Sequence, residues 1–308
     1  MLQTFDQRNR DLLININGQL IHRDQAGISP FDSAVQGGDA VWEGLRVYEG
    51  RVFKLREHLD RLRSSAQALA FGEMPSQDQI VEEIRRTLEA NSMFDGVHIR
   101  LTLTRGVKIT SGMDPRLNQS GPTLIVLAEH KAPVYDSAVG KTGLSLVTSS
   151  MRRFPPDCLD PKIHSCNLIQ SILAKIEANN ARADDAIMLD KRGFLAETNA
   201  THVFVVSGEG EPMLLTSRLV ACPEGVTRAT VLGLCRANGI AHAERDISMT
   251  EVYRAREMFT TGTMGELAWV SKVDGRTIGD GRRGVMTERL SLLYRELTAG
   301  EGEQLVTE

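Results

Sequence analysis

Two mixed α/β domains are what this sequence predicts, and three observations predict them. Its 308 residues exceed one ordinary compact domain. Short alternating strand patterns are interleaved with amphipathic helical patterns in both halves. Between the halves, KAPVYDSAVGKTG at 131–143 has no period and carries a proline, an aspartate and two glycines. The reading is a small N-terminal α/β domain over 1–130, that linker, and a larger C-terminal mixed α/β domain over 144–308.

The elements follow in order. LLININGQLIHRD alternates apolar and polar residues around Asn17-Gly18, a hairpin signal, and GLRVYEGRVFKL repeats the pattern around Glu49-Gly50. Leu55, Leu59, Leu62, Ala66 and Leu69 then recur at helical spacing, and IVEEIRRTLEANSM predicts a second amphipathic helix. VHIRLTLTRG is a strand with His98, Arg100, Thr102 and Thr104 on one face and Arg105 on the other. TLIVLAE is apolar enough to predict burial on both sides. Past the linker come the strand LSLVTSS, a loop rich in proline and arginine, and a helix over roughly Asn167 to Asn180. A hairpin turning at 191–193 joins AIMLD to FLAETNATHVFVV, and a helix opens at Thr227 and stops at Gly239. EMFTTGTMGELAWV and TERLSLLYRELTAG complete the second domain.

Composition narrows the function classes. With 41% hydrophobic and 25% charged residues a packed core is expected rather than disorder. A net charge of −4 gives no electrostatic reason to expect nucleic acid or an anionic membrane as partner. No apolar run approaches the roughly 20 residues of a membrane span. The first residues, MLQTFDQRNRDLL, lack a signal core. Cys158, Cys166, Cys222 and Cys235 have neither metal-type spacing nor the number for a disulfide scaffold. Reduced thiols in the cytoplasm are the expectation, with no metal.

The polar motifs are modest one at a time. DSAVQGGDAVWEGLR is glycine-rich but lacks Walker or Rossmann spacing and leads into a hairpin. CPEGVTRATV is more telling: Gly225 permits a tight turn, and Val226 and Thr227 stand at a helix start, where unpaired N–H groups attract anions. Taken alone, Thr227 reads equally as an N-cap.

Five blocks in one order change that weighting: GGDAVWEGLRVYEGRVFKLREHLDRLRSSA, VHIRLTLTRG, IEANNARADDAIMLDKRGFLAETNATHVFVV, PEGVTRATV, and MFTTGTMGEL with DGRTIGDG. In these blocks, from about Gly27 to Leu290, the chain resembles the fold-type IV (class IV) pyridoxal-phosphate aminotransferases. Within them it is most similar to branched-chain-amino-acid aminotransferases, then to D-amino-acid transaminases. The resemblance implies pyridoxal 5'-phosphate as cofactor. It implies that Arg61, the backbone of Val226 and Thr227, and the Thr263 hydroxyl hold its phosphate, and that Glu197 meets its pyridine nitrogen. It also implies a lysine that forms the Schiff base and moves the proton. The candidate is Lys162 of DPKIHSCNLIQSILAK, although an ungapped register puts the position on His164. Residues 162 and 164 share a strand face, so a bulge could deliver Lys162 to the same pocket. His202 and Pro223 also depart from the pattern, which carries asparagine and leucine there.

For the substrate, the resemblance implies the turn at Thr263-Met264 and the 97–105 strand, which offers His98 where tyrosine is usual. Arg100 matches the branched-chain pattern and Arg105 the D-amino-acid one, and a regular strand cannot aim both at one pocket. Trp42 and Arg46 of the EGLR segment favour the branched-chain side. Transamination of branched-chain L-amino acids with 2-oxoglutarate is the leading expectation. D-amino-acid transaminase, (R)-amine transaminase, aminodeoxychorismate lyase-type chemistry and a cofactor-binding protein without its lysine are the alternatives. A homodimer or higher homo-oligomer is expected, with the 106–121 loop lent to the partner.

Overall fold

The computed structural model describes residues 5–132 and 142–308, so most of the predicted linker, 133–141, lies outside the described residues. The chain divides into two compact units, each described by itself.

Among the described residues, the first unit takes 5–132, Ile163–Asn167 and Thr298–Glu308. Its seven-stranded sheet runs, edge to edge, Glu303–Gln304, Arg51–Val52, Ala40–Tyr48, Val97–Thr104, Thr123–His130, Leu13–Ile16 and Gln19–His22. Every pairing in it is antiparallel. Both predicted hairpins form, with left-handed backbone at Asn17 and Gly18 and again at Glu49 and Gly50, the turn whose twist suits two strands. Helices Leu55–Ala68 and Gln77–Ala90 bury their apolar stripes. Leu59, Leu62, Ile84 and Leu88 pack with Val41, Leu45, Ile99 and Val126 in one core. The second helix opens with a capping box between Ser76 and Gln79.

Two expectations are corrected here. The C-terminal domain was expected to run to 308, but residues 298–308 belong to the first unit. Glu303–Gln304 pairs antiparallel with Arg51–Val52. The Glu303 carboxylate accepts from Arg56 Nε and Nη2 at 2.9 Å each, and Val306 joins the apolar core. Gly50 permits this return: a Cβ there would fall 2.0 Å from the Val306 carbonyl oxygen. The strand at 123–130 also buries only one side fully, because Ile125 and Leu127 remain partly exposed.

Among the described residues, the second unit takes 142–162 and Leu168–Leu297. Its nine-stranded sheet orders His242–Glu244, Leu214–Thr216, His202–Val206, Glu257–Gly262, Glu266–Val273, Leu144–Arg152, Asp185–Leu189 and Leu195–Thr198, with Arg276–Thr277 beside Glu266–Val273. Parallel pairs occur where chain-distant strands meet, as in Leu144–Arg152 with Asp185–Leu189 and with Glu266–Val273. Helix Val226–Ala237 presses Val231, Leu232 and Cys235 against Phe204 and Phe259, whose rings stack at 5.1 Å. Leu146, Ile187, Val203 and Val270 belong to a separate apolar cluster.

The division falls between Lys162 and Ile163. The five residues after it are stitched to the Ala40–Tyr48 strand. Trp42 N donates to the His164 carbonyl at 3.1 Å and Cys166 N to the Ala40 carbonyl at 2.8 Å. The Trp42 indole N–H donates to the Ser165 carbonyl at 3.1 Å. These bonds fix which side chain of the segment is turned inward.

Candidate active site

In the first unit the polar centre is Glu43, a carboxylate with no exposed surface. It lies on the strand face that also carries Val41, Leu45 and Val47, all buried in the core, so its charge has to be met by neighbours. Arg61 closes its guanidinium fork on it, with Nε at 2.8 Å and Nη2 at 2.6 Å from the two oxygens. His58 Nδ1 lies 2.6 Å from Oε2 and His164 Nδ1 3.5 Å from Oε1. Burial alone would raise the Glu43 pKa. The Arg61 charge and the bonds from His164, His58 and Arg61 outweigh it and hold the carboxylate well below its usual range. Arg61, expected on a phosphate, has part of its fork on the Glu43 carboxylate.

His164 is the inward residue of its segment. Its Nδ1 is 2.6 Å from the Trp42 carbonyl oxygen, its ring stacks on Trp42 at 4.3 Å, and its backbone N–H donates to Ser65 Oγ at 3.0 Å. The Arg100 guanidinium covers the Trp42 ring at 3.5 Å and points Nη2 at Cys166 Sγ, 3.9 Å away. His164, Trp42, Arg100, Glu43 and Arg61 therefore form one continuous cluster.

Lys162 is not part of it. The expectation that a bulge would carry it into a pocket is corrected: its side chain is 49% exposed, with Nζ 3.7 Å from Glu224. The backbone bonds at 164 and 166 set the alternation, and His164 takes the inward place.

The strand arginines also separate. Arg105 is held structurally, with Nε and Nη2 on the Asp39 carboxylate at 2.6 and 3.1 Å. Its remaining bonds go to the Leu69 and Ala70 carbonyls, and Phe71 lies under the guanidinium. A substrate-carboxylate role for Arg105 is therefore corrected. Arg46 and His98 face each other in strand register, both buried. Arg46 Nε and Nη1 and His98 Nδ1 have no hydrogen-bond partner among the described residues. Burial, with the charges of Lys131, Arg100 and Arg46, pushes His98 down to about 3.

His98 carries a pH prediction. A histidine neutral in the fold but titrating near 6.5 unfolded takes its proton first in the unfolded chain. Its contribution is therefore complete above 6.5 and is lost as pH falls toward 3. Between pH 7.5 and 5 this one residue should cost about 2 kcal/mol. Melting curves of the wild type and His98→Gln should converge at the lower pH by that amount; parallel curves would refute it.

In the second unit, Glu197 is buried on Leu195–Thr198. Arg153 Nε stands 2.9 Å from its Oε1, while Arg153 is itself held by Ser171 Oγ and the Thr198 carbonyl. The helix at Val226 opens on Gly225, which brings no side-chain cap to the first N–H groups. Gly225 lies against the His202 ring, whose Cδ2 would be 2.3 Å from a Cβ there. Thr263 and Met264 stand in the turn between Glu257–Gly262 and Glu266–Val273.

Glu43, His58 and Arg153 were missed in the sequence. Only Glu43 left a signal: in AVWEGLRVY it interrupts the apolar side of a strand.

An amino-transferase class IV family model matches residues 40–273. That match covers most of the chain, and the chain belongs to this family. It is 54% identical over 97% of its length to branched-chain-amino-acid aminotransferase-like protein 2 of Arabidopsis thaliana, covering 52% of that protein. The chain thus spans about half the length of its Arabidopsis relatives. It is 35% identical to the putative branched-chain-amino-acid aminotransferase of Methanocaldococcus jannaschii, over 96% of this chain and 99% of that protein. The fold agrees with a solved Escherichia coli branched-chain amino acid aminotransferase at a TM-score of 0.87 and 27% identity, covering 95% and 96% of the two chains.

Proposed function

We propose that this chain binds pyridoxal 5'-phosphate and moves the amino group of small hydrophobic amino acids to a 2-oxo acid, with branched-chain L-amino acids and 2-oxoglutarate as the leading pair. The observation that carries the cofactor is the start of helix Val226–Ala237. A glycine without room for a side chain leaves the Val226 and Thr227 N–H groups and the positive end of a 12-residue helix to receive a phosphate. Glu197, buried and ion-paired, suits a ring nitrogen that must keep its proton. Thr263 offers a further hydroxyl. When bound, pyridoxal phosphate supplies an electron sink for charge developing at the substrate α-carbon. One solved relative by fold, a branched-chain amino acid aminotransferase at 30% identity and TM-score 0.85, is complexed with N-(5'-phosphopyridoxyl)-L-glutamate.

Arg100 supports the branched-chain reading over the D-amino-acid one, because Arg105 is already committed to Asp39. Within the first unit, Arg100 and Arg46 supply charge for a carboxylate.

Homodimerisation is part of the proposal. Helix Ile169–Asn180 exposes Ile169, Ile172, Leu173 and Ile176, and the 106–121 loop exposes Ile109 and Met113, an apolar display that suits a second copy. Light scattering should give twice the chain mass. A cytoplasmic setting fits four unpaired cysteines, and cell fractionation checks it.

The deciding experiment loads the full chain with cofactor, follows its retention by absorbance, and assays L-leucine, L-valine, D-alanine and (R)-1-phenylethylamine with 2-oxoglutarate. Retention with turnover of the first two is expected. Equal inactivity on all four removes the substrate reading.

A further inference from the structure

Covalent capture of an aldehyde by a side chain needs a primary amine. Its nitrogen adds to the carbonyl carbon, gives up both hydrogens as water leaves, and becomes half of a C=N bond. A lysine suited to this is kept from bulk water or set beside another cation, which frees its lone pair. The described lysines of this chain are disposed otherwise. Lys54 pairs with Glu57 and Glu301, Lys175 with Asp185, Lys191 with Asp157, and Lys162 with Glu224 at the surface. Lys272 is exposed and Lys131 partly so. Lys108, the buried one among the described residues, donates to the Gly112 carbonyl at 2.6 Å inside its own loop.

The inward place of the 163–167 segment belongs to an imidazole instead, and it is a built position. The Trp42 carbonyl can only accept, so the 2.6 Å contact puts the hydrogen on His164 Nδ1. Glu43 stands 3.5 Å from the same nitrogen, and stacking on Trp42 fixes the ring plane. Nε2 is left with its lone pair. Burial and the Arg61 charge lower the His164 pKa, which keeps the ring neutral near pH 7. A ring nitrogen in this state can accept a proton, but it has no hydrogens to lose as water and cannot form a C=N bond.

We infer that this chain holds pyridoxal phosphate without a covalent bond to the protein, the oriented His164 imidazole taking the inward place of the segment where an attaching amine is expected. This rests on the cofactor reading above and deepens it. The incoming amino acid then has no lysine to displace among the described residues.

The test reads attachment rather than turnover. The full chain loaded with pyridoxal phosphate is treated with borohydride, which adds hydride across a C=N bond and leaves the pyridoxyl group permanently on nitrogen. The protein is then denatured, filtered and weighed whole and as peptides. The wild type is expected at its unmodified mass, with the reduced cofactor in the filtrate. His164→Lys is expected to gain one phosphopyridoxyl group at residue 164. A wild-type adduct on Lys162, or on any other lysine, overturns this inference and leaves the cofactor reading intact. A wild type that retains no cofactor before borohydride overturns both.

Discussion

Glu43→Ala should be the most damaging single substitution in the first unit, lowering stability by about 3–5 kcal/mol, the usual cost of removing one partner from a buried ion pair. The carboxylate is fully buried and takes both Arg61 bonds at 2.8 and 2.6 Å and the His58 contact at 2.6 Å. Truncating it strands a guanidinium that is largely screened from water and leaves His58 facing a void. A melting temperature lower by roughly 10 °C is the expected reading. Removing both charges differs from removing one, since a buried pair replaced by apolar side chains of similar size is often nearly neutral. Glu43→Leu/Arg61→Met should therefore melt well above Glu43→Ala, although it gives up any role of Arg61 toward phosphate. His164 supplies a second readout. With Glu43 gone its Nδ1 keeps the Trp42 carbonyl but loses the nearby negative charge, so the imidazole pKa, followed by NMR, should fall further. A Glu43→Ala protein that melts within a degree or two of the wild type would show that the cluster is solvated, and this account of the site would fail.

That prediction could have been framed from the sequence, which shows what kind of information a sequence holds. The alternation Val41, Glu43, Leu45, Val47 states that a carboxylate sits on an apolar strand face, and burial then requires partners. The hairpins at Asn17-Gly18 and Glu49-Gly50 were equally legible, because a two-residue turn with left-handed backbone selects those residue types. What stayed hidden depends on distance along the chain. Arg153 reaches Glu197 across 44 residues, by strand order that no local pattern encodes. The return of residues 298–308 to the first sheet is likewise a tertiary pairing of two short strands, too brief to leave a period. Lys162 and His164 show the finest case. The sequence names both residues and the segment, but which one turns inward depends on hydrogen bonds to Ala40 and Trp42, more than a hundred residues earlier. The same holds for Arg100 and Arg105: alternation stated that they diverge, and only the Asp39 carboxylate decided which was taken.

Gly225→Ala should weaken cofactor binding by about 10- to 100-fold, and the reason is steric rather than conformational. The residue has φ −68° and ψ 123°, backbone that alanine adopts freely. A Cβ, however, would sit 2.3 Å from His202 Cδ2 and 2.4 Å from Nε2, far inside van der Waals contact. His202 is buried at the start of His202–Val206 and its strand is paired to Glu257–Gly262, so the ring has little room to retreat. The helix start must move instead, and overpacking of this kind costs about 1–3 kcal/mol. That strain falls on the N–H groups of Val226 and Thr227. If they hold the phosphate, the strain appears as lost affinity, at about 1.4 kcal/mol per tenfold. The double variant separates the two causes. His202→Ala removes the obstacle, so Gly225→Ala/His202→Ala should bind pyridoxal phosphate within a few-fold of His202→Ala alone, with the coupling read from the four-member cycle. Titration by cofactor fluorescence measures all four proteins. If Gly225→Ala binds as the wild type does, the helix start is not where the phosphate rests. If affinity falls and His202→Ala fails to restore it, the loss comes from elsewhere in the helix and the steric account is wrong.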